Sequence, residues 1–276
     1  MKTLKLTARA VPTTPVVICL HSSASTGGQW AGLRDELGDA FHVVTPDLFG
    51  QGQAPAWTGA ASDIVAADVE RIAHIAKRFG GGVHLVGHSY GGFVALRIAL
   101  EYPSLVASVA VYEPVAFRVL FDYNARHQPA VEVLELARGI GRDVGLGQES
   151  RAASRFVNYW SGSDQWSRLS PEQRSAIAAR MPVVLSHFVS LAHDGARRTD
   201  FARLPMPVLY LTGQATRAST RRIAEIVTPS MPHVESVRME AMGHLGPITH
   251  AAVVASRVAR FVREQASPPF DQRKAA

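Results

Sequence analysis

The chain has 276 residues, 47% hydrophobic and 19% charged, with 29 Lys and Arg against 23 Asp and Glu for a net charge of +6. That length holds one large α/β domain with room for an inserted subdomain and excludes a minimal binding module. The surplus of positive charge does not point to nucleic acid, because the arginines are scattered and the densest runs, Arg197-Arg198 and Arg221-Arg222, have no interleaved aromatics.

In chain order, the segment from Met1 to Arg9 carries charges but no apolar h-region behind them, so no secretory signal is expected. With no apolar stretch long enough to cross a bilayer, a cytoplasmic protein without membrane contact is expected. Apolar, β-branched runs over 16–20, 42–45, 83–86 and 107–112 read as strands, separated by helical patterns over 28–37, 62–79 and the run from Gly92 to Leu100 that stops before Pro103. Alternation of this kind predicts a parallel sheet wrapped by helices. The single cysteine, Cys19, falls inside the first strand and reads as a core thiol. After Pro114 the strand signal stops, and helical patterns over 130–140, 152–160 and 171–187 fill an insertion spanning 115–203. The sheet pattern resumes at 207–211, followed by a helix over 219–227, a strand over 234–237 and a last helix over 247–265. The polar tail 267–276, with Pro268-Pro269, is expected to be disordered.

The most informative residues are Gly87-His88-Ser89-Tyr90-Gly91, lodged between the strand at 83–86 and the helix after it. A serine on so sharp a strand-to-helix turn is held with its hydroxyl above the sheet, and residues two positions away can carry almost no side chain, hence Gly87 and Gly91. This elbow after the third parallel strand, the helical insertion after the fourth and a late histidine in Ala241-Met242-Gly243-His244 together resemble the α/β-hydrolase superfamily over nearly the whole chain. The resemblance implies an α/β-hydrolase fold, with 1–114 and 204–266 as the core and 115–203 as a helical lid. It implies Ser89 as nucleophile and His244, among eleven histidines, as general base. It also implies an oxyanion hole formed by the backbone N–H of Tyr90 and by Ser23, where His21-Ser22-Ser23 stands in place of the family's usual His-Gly-X.

The acid departs from the family pattern. Most members carry an Asp on the loop after the penultimate strand, three residues beyond a glycine; here Gly213-Gln214-Ala215-Thr216 offers Thr216, which cannot hold charge. Glu113, at the end of the strand after the elbow helix, is the preferred acid, a position some members use. Asp194 and Asp200 precede the penultimate strand, Glu240 has no assigned direction, and a Ser-His dyad without an acid is the residual reading. Asp47, in Pro46-Asp47-Leu48-Phe49-Gly50, reads as structural. His187 and His193 lack further ligands at a usable spacing, so no metal is expected, and the chemistry calls for no cofactor. The expected reaction is hydrolysis of a small or medium apolar ester through an acyl-enzyme on Ser89. Phe117, Phe121, Phe156, Tyr159, Trp160, Trp166, Met181 and Phe188 of the insertion are candidates to line the pocket, most of them serving its own packing. Carbon–carbon bond hydrolysis, a haloperoxidase-like reaction and non-catalytic ligand binding are the alternatives. The expected partner is a small-molecule substrate, and the protein is expected to be a monomer or homodimer.

Overall fold

The computed structural model describes residues 14–162 and 164–266. The N-terminal segment read against a signal and the tail 267–276 lie outside the described residues.

Six strands form one sheet: β1 (Val16–Leu20), β2 (His42–Val44), β3 (Val83–His88), β4 (Val106–Tyr112), β5 (Val208–Gly213) and β6 (Val234–Met239). All neighbouring pairs are parallel, in the order β2-β1-β3-β4-β5-β6. Every residue of β1, β3 and β5 is buried, as a sheet covered on both faces demands. Their alternate side chains nevertheless enter different cores. Val16, Ile18 and Leu20 pack with Val65, Val69 and Ile72 of α2 (the second helix, after α1 at Ala31–Leu37), which runs Ile64–Arg78. The same core holds Phe93 and Val94 of α3 (Ser89–Glu101). Val17 and Cys19 face the other way, onto Leu33 and Leu37 of α1.

Among the described residues, six α-helices lie between β4 and β5: α4 (Phe117–Asn124), α5 (Gln128–Gly145), α6 (Glu149–Ser161), α7 (Gln165–Arg168), α8 (Pro171–Ala178) and α9 (Met181–His193). Their apolar faces, including Phe117, Val133, Ile140, Met181 and Val184, belong to the same core cluster as Ile18 and Val111 of the sheet. The helix expected over 171–187 is two helices. Pro182 has no N–H to offer the carbonyl of Ala178 and its ring clashes there, so the chain stops at Ala178 and restarts with Pro182 in the first turn of α9. The short α4 and α7 were not legible as separate periods. After β5 come α10 (Ala218–Val227), α11 (Gly246–Thr249) and α12 (Ala251–Ala266). The helix expected over 247–265 is therefore broken at His250, whose φ of −131° is not helical. α12 completes the second core with Val254, Val258 and Val262.

Among the described residues no single helix is long and apolar enough to cross a membrane. α8 and α9, bent by 46°, reach the required length only as a pair, and α9 buries Met181, Val184, His187 and Leu191 inside the molecule.

The strand order reverses direction of growth between β1 and β3, the place where open α/β sheets form a crevice at the carboxyl ends of their strands. Leu20 at the end of β1 is opposite Gly87 of β3, which puts the His21-Ser22-Ser23 loop beside the turn at Ser89. Contact is so close that a Cβ on Gly91 would lie 2.4 Å from the His21 carbonyl oxygen, and one on Gly87 would lie 2.5 Å from that of Gly91. Gly91→Ala should therefore lower unfolding free energy by roughly 3 kcal/mol, since a backbone carbonyl cannot step aside. Gly145→Ala, in a helix with nothing within 4 Å of the added carbon, should instead raise it by about 0.5–1 kcal/mol. Urea denaturation of the two variants measures both.

Candidate active site

Ser89 opens α3 directly from β3 and has a φ of +54°, in the left-handed region that a side chain occupies only under constraint. That conformation is the elbow expected from the flanking glycines. The Ser89 hydroxyl lies 2.9 Å from Nε2 of His244. Nδ1 of His244 lies 2.7 Å from Oε2 of Glu113. A carboxylate only accepts, so the imidazole carries its proton on Nδ1 and leaves Nε2 free to accept from Ser89. Ser89, His244 and Glu113, drawn from the ends of β3, β6 and β4, form one connected series.

Glu113 is fully buried and also has a positive φ, +46°. Its two oxygens are occupied: Oε1 accepts the Gly213 N–H at 2.7 Å, and Oε2 accepts the Thr216 hydroxyl at 2.6 Å as well as His244. Thr216 thus donates to a carboxylate that lies one strand away. Its hydroxyl is in turn 2.9 Å from that of Thr220. Asp194 is ion-paired with Arg97 and Asp200 with Arg203, while Glu240 is exposed. None of the three is hydrogen-bonded to His244.

A second series fixes the backbone of the histidine loop. His88, fully buried, is held neutral because burial drives its pKa well below the ordinary imidazole value. Its Nε2–H donates to the His244 carbonyl at 2.8 Å, so Nδ1 must accept, and it does so from the Gln29 side-chain amide at 3.1 Å. The Gln29 oxygen then accepts both the backbone N–H and the hydroxyl of Ser22, at 3.1 and 3.0 Å. The serine that replaces glycine at position 22 is therefore engaged by its own hydroxyl. Tyr112 adds an anchor, its hydroxyl donating to the Gly243 carbonyl at 2.8 Å. Asp47 holds its loop through the N–H groups of Gly27 and Gln53, each at 2.7 Å, in keeping with a structural role.

The ring of Trp160, at the end of α6, stacks on the His244 imidazole with centroids 4.0 Å apart and planes at 28°. Both line a cavity of about 520 Å³ together with Ser22, Ser23, Phe156, Leu169, Ile177, Leu245 and Ile248. Of the aromatic and Met candidates in the insertion, Phe156 and Trp160 line this cavity; Phe117, Met181 and Phe188 are core residues, and Phe121, Tyr159 and Trp166 pack against the core. Gln29, His88 and Thr216 were not assigned to the site from sequence. The position of His88 inside the Ser89 pentapeptide was the available signal; for Gln29 there was none.

The family described as "Alpha/beta hydrolase family" matches residues 17–257. The chain belongs to the α/β-hydrolase family. The pimeloyl-[acyl-carrier protein] methyl ester esterase of Methylococcus capsulatus is 27% identical over 257 residues, covering 91% of this chain and 94% of its own. A thermophilic esterase from Thermogutta terrifontis has the same fold, with a TM-score of 0.72 at 24% identity over 93% of this chain and 92% of its own. So does the 2-hydroxy-6-oxo-6-phenylhexa-2,4-dienoate hydrolase of Rhodococcus sp. strain RHA1, with a TM-score of 0.68 at 22% identity over 91% and 92%. This α/β-hydrolase is accordingly an enzyme of the hydrolase class.

Beneath the elbow of this α/β-hydrolase, the Tyr90 hydroxyl donates to Oδ2 of Asp68 at 2.8 Å, and Oδ1 accepts the Phe49 N–H at 3.0 Å. Burial pushes the Asp68 carboxyl up to about 6 against these hydrogen bonds. A raised folded-state pKa means that the native state holds the proton more tightly than the unfolded chain, so this contribution to stability is complete below about pH 4 and is lost as pH rises to about 6. Asp68→Asn, followed by urea denaturation at pH 4 and pH 7, should remove from the pH dependence a fall on the order of 3 kcal/mol.

Proposed function

We propose that this enzyme hydrolyses a small or medium apolar ester through an acyl-enzyme on Ser89. The observation that carries the reading is the unbroken series from the Ser89 hydroxyl through His244 to Glu113, with contacts of 2.9 and 2.7 Å. Ser89 Oγ attacks the ester carbonyl carbon; the new C–O bond forms as the carbonyl π pair moves onto oxygen and the serine proton passes to His244 Nε2. Glu113 offsets the imidazolium so produced and keeps its Nδ1–H in place. The backbone N–H groups of Tyr90 and Ser23 hold the oxyanion. Collapse expels the alkoxide, which takes the proton from Nε2, and water repeats the sequence on the acyl-enzyme to release the acid and restore Ser89.

The helices of 115–203 serve as a lid, since Phe156 and Trp160 reach from them into the cavity beside His244. A lining in which apolar side chains outnumber charged ones suits an apolar acyl or alkyl group. The Methylococcus capsulatus relative is named for methyl ester hydrolysis, which supports an ester over a carbon–carbon bond as the scissile group.

Two measurements test this. A fluorophosphonate probe should label the folded protein on Ser89 and nowhere in Ser89→Ala; absence of an adduct on the wild type would sink the reading and favour a non-catalytic ligand-binding protein. On p-nitrophenyl acetate, Glu113→Gln should lower kcat by about 10³–10⁴. Adding Thr216→Asp to that variant should recover at least about tenfold, because the Thr216 hydroxyl already lies within hydrogen-bond reach of the carboxylate it would replace. Wild-type turnover by Glu113→Gln would show that the acid is dispensable.

A further inference from the structure

His187 lies on α9, far from Ser89 in the chain, yet its imidazole touches both residues assigned to the oxyanion hole. Nδ1 is 2.8 Å from the Ser23 hydroxyl. The ring also stacks on that of Tyr90, with centroids 3.6 Å apart and planes at 12°. Tyr90 is itself held by its hydrogen bond to Asp68, so the stack has a fixed floor.

The direction of the Ser23 contact follows from the other ring nitrogen. His187 is 1% exposed, and its Nε2 has no hydrogen-bond partner among the described residues. Burial pulls the imidazole down to about 3, so the ring is neutral and carries a single proton. On Nε2 that proton would be a buried, orphaned N–H; on Nδ1 it is used, and Nε2 keeps only an idle lone pair. Orphaned buried N–H groups are the rarer and costlier outcome. The proton therefore sits on Nδ1 and is donated to Ser23 Oγ, which leaves the serine's own proton free to point elsewhere. Ser23 lines the cavity that His244 also lines.

We propose that the Ser23 side-chain hydroxyl is a third oxyanion donor, added to the backbone N–H groups of Ser23 and Tyr90, and that His187 is a positioning residue turning that hydroxyl toward the reacting carbonyl. The proposal rests on the acyl-transfer reading of Ser89. No proton is transferred: as the Ser89 C–O bond forms and the carbonyl π pair moves onto oxygen, the Ser23 O–H shortens its hydrogen bond to the new charge. The inserted helices thereby act on the chemistry itself as well as on access to the cavity.

The test compares wild type with Ser23→Ala, Ser23→Thr, His187→Phe, His187→Asn and the Ser23→Ala/His187→Phe pair. It reads kcat and KM on p-nitrophenyl acetate and the rate at which a fluorophosphonate phosphonylates Ser89, a step that also builds charge on an oxygen. Ser23→Ala should lower kcat and the labelling rate by about 100-fold with KM within about twofold, and Ser23→Thr, which keeps the hydroxyl, should stay within about tenfold of wild type. His187→Phe keeps a flat ring against Tyr90 but has no donor, and should lose about tenfold. His187→Asn, whose amide reaches the Nδ1 position, should recover most of that, and the pair should be no slower than Ser23→Ala alone. If Ser23→Ala labels and turns over as the wild type does, this proposal falls while the serine-hydrolase reading stands; if wild-type Ser89 takes no adduct, both fall. Losses that multiply in the pair, or an Asn variant no better than Phe, overturn the role of His187. Should His187→Phe fail to fold, the Ser23 pair of variants decides the hydroxyl's part alone.

Discussion

The hydrogen bond between Glu113 and His244 joins two side chains that are both out of solvent, and a buried carboxylate makes the strictest demand in this molecule. Without water, its lone pairs must be met by protein donors or the charge becomes untenable. Here the Gly213 N–H, the Thr216 hydroxyl and the His244 Nδ1–H meet them, from the ends of two further strands. The loops after β5 and β6 are thus shaped around one anion at the end of β4. The hydroxyls of Tyr112 and Tyr210, near the same charge, have their pKa values raised by burial first and by Glu113 second, so both stay protonated.

The parallel sheet makes such an arrangement possible by delivering several chain segments to one edge. His88 is opposite Tyr112, so the next residues on β3 and β4, Ser89 and Glu113, leave the sheet side by side, and both have positive φ. His244 arrives from beyond β6 and spans β5 to reach them. The His88–Gln29–Ser22 series then ties the backbone of that incoming loop to the loop after β1. No link in that series uses a charged partner, so the Glu113 carboxylate keeps its neighbourhood free of a competing charge on that side.

Much of this was legible where the cause is local. The strand, tight turn and helix around Ser89 are written in consecutive residues, and the end of an apolar run marked Glu113 as lying on the sheet edge. Thr216 was noticed as an absence of charge, but its use as a donor depends on Glu113, 103 positions away. Apart from the local Gln29–Ser22 link, Gln29, His88 and His187 act through contacts separated by 59 to 164 positions, and no short pattern encodes which imidazole will meet which carbonyl. The break between α8 and α9 went unread although Pro182 carries its signal, whereas the short α4 and α7 owe their form to packing on the larger core.

The crowding around His244 has a consequence for where its proton can go. Nδ1 is closed by Glu113, one face is covered by Trp160, the His88 ring lies 5.2 Å away at a tilt, and the residue is only 2% exposed. What stays open is Nε2, on the side of Ser89. The imidazole is in effect a one-door room: any proton that Nε2 exchanges must pass on the side of Ser89 and the cavity. Enclosure alone sets that direction, without any group having to move.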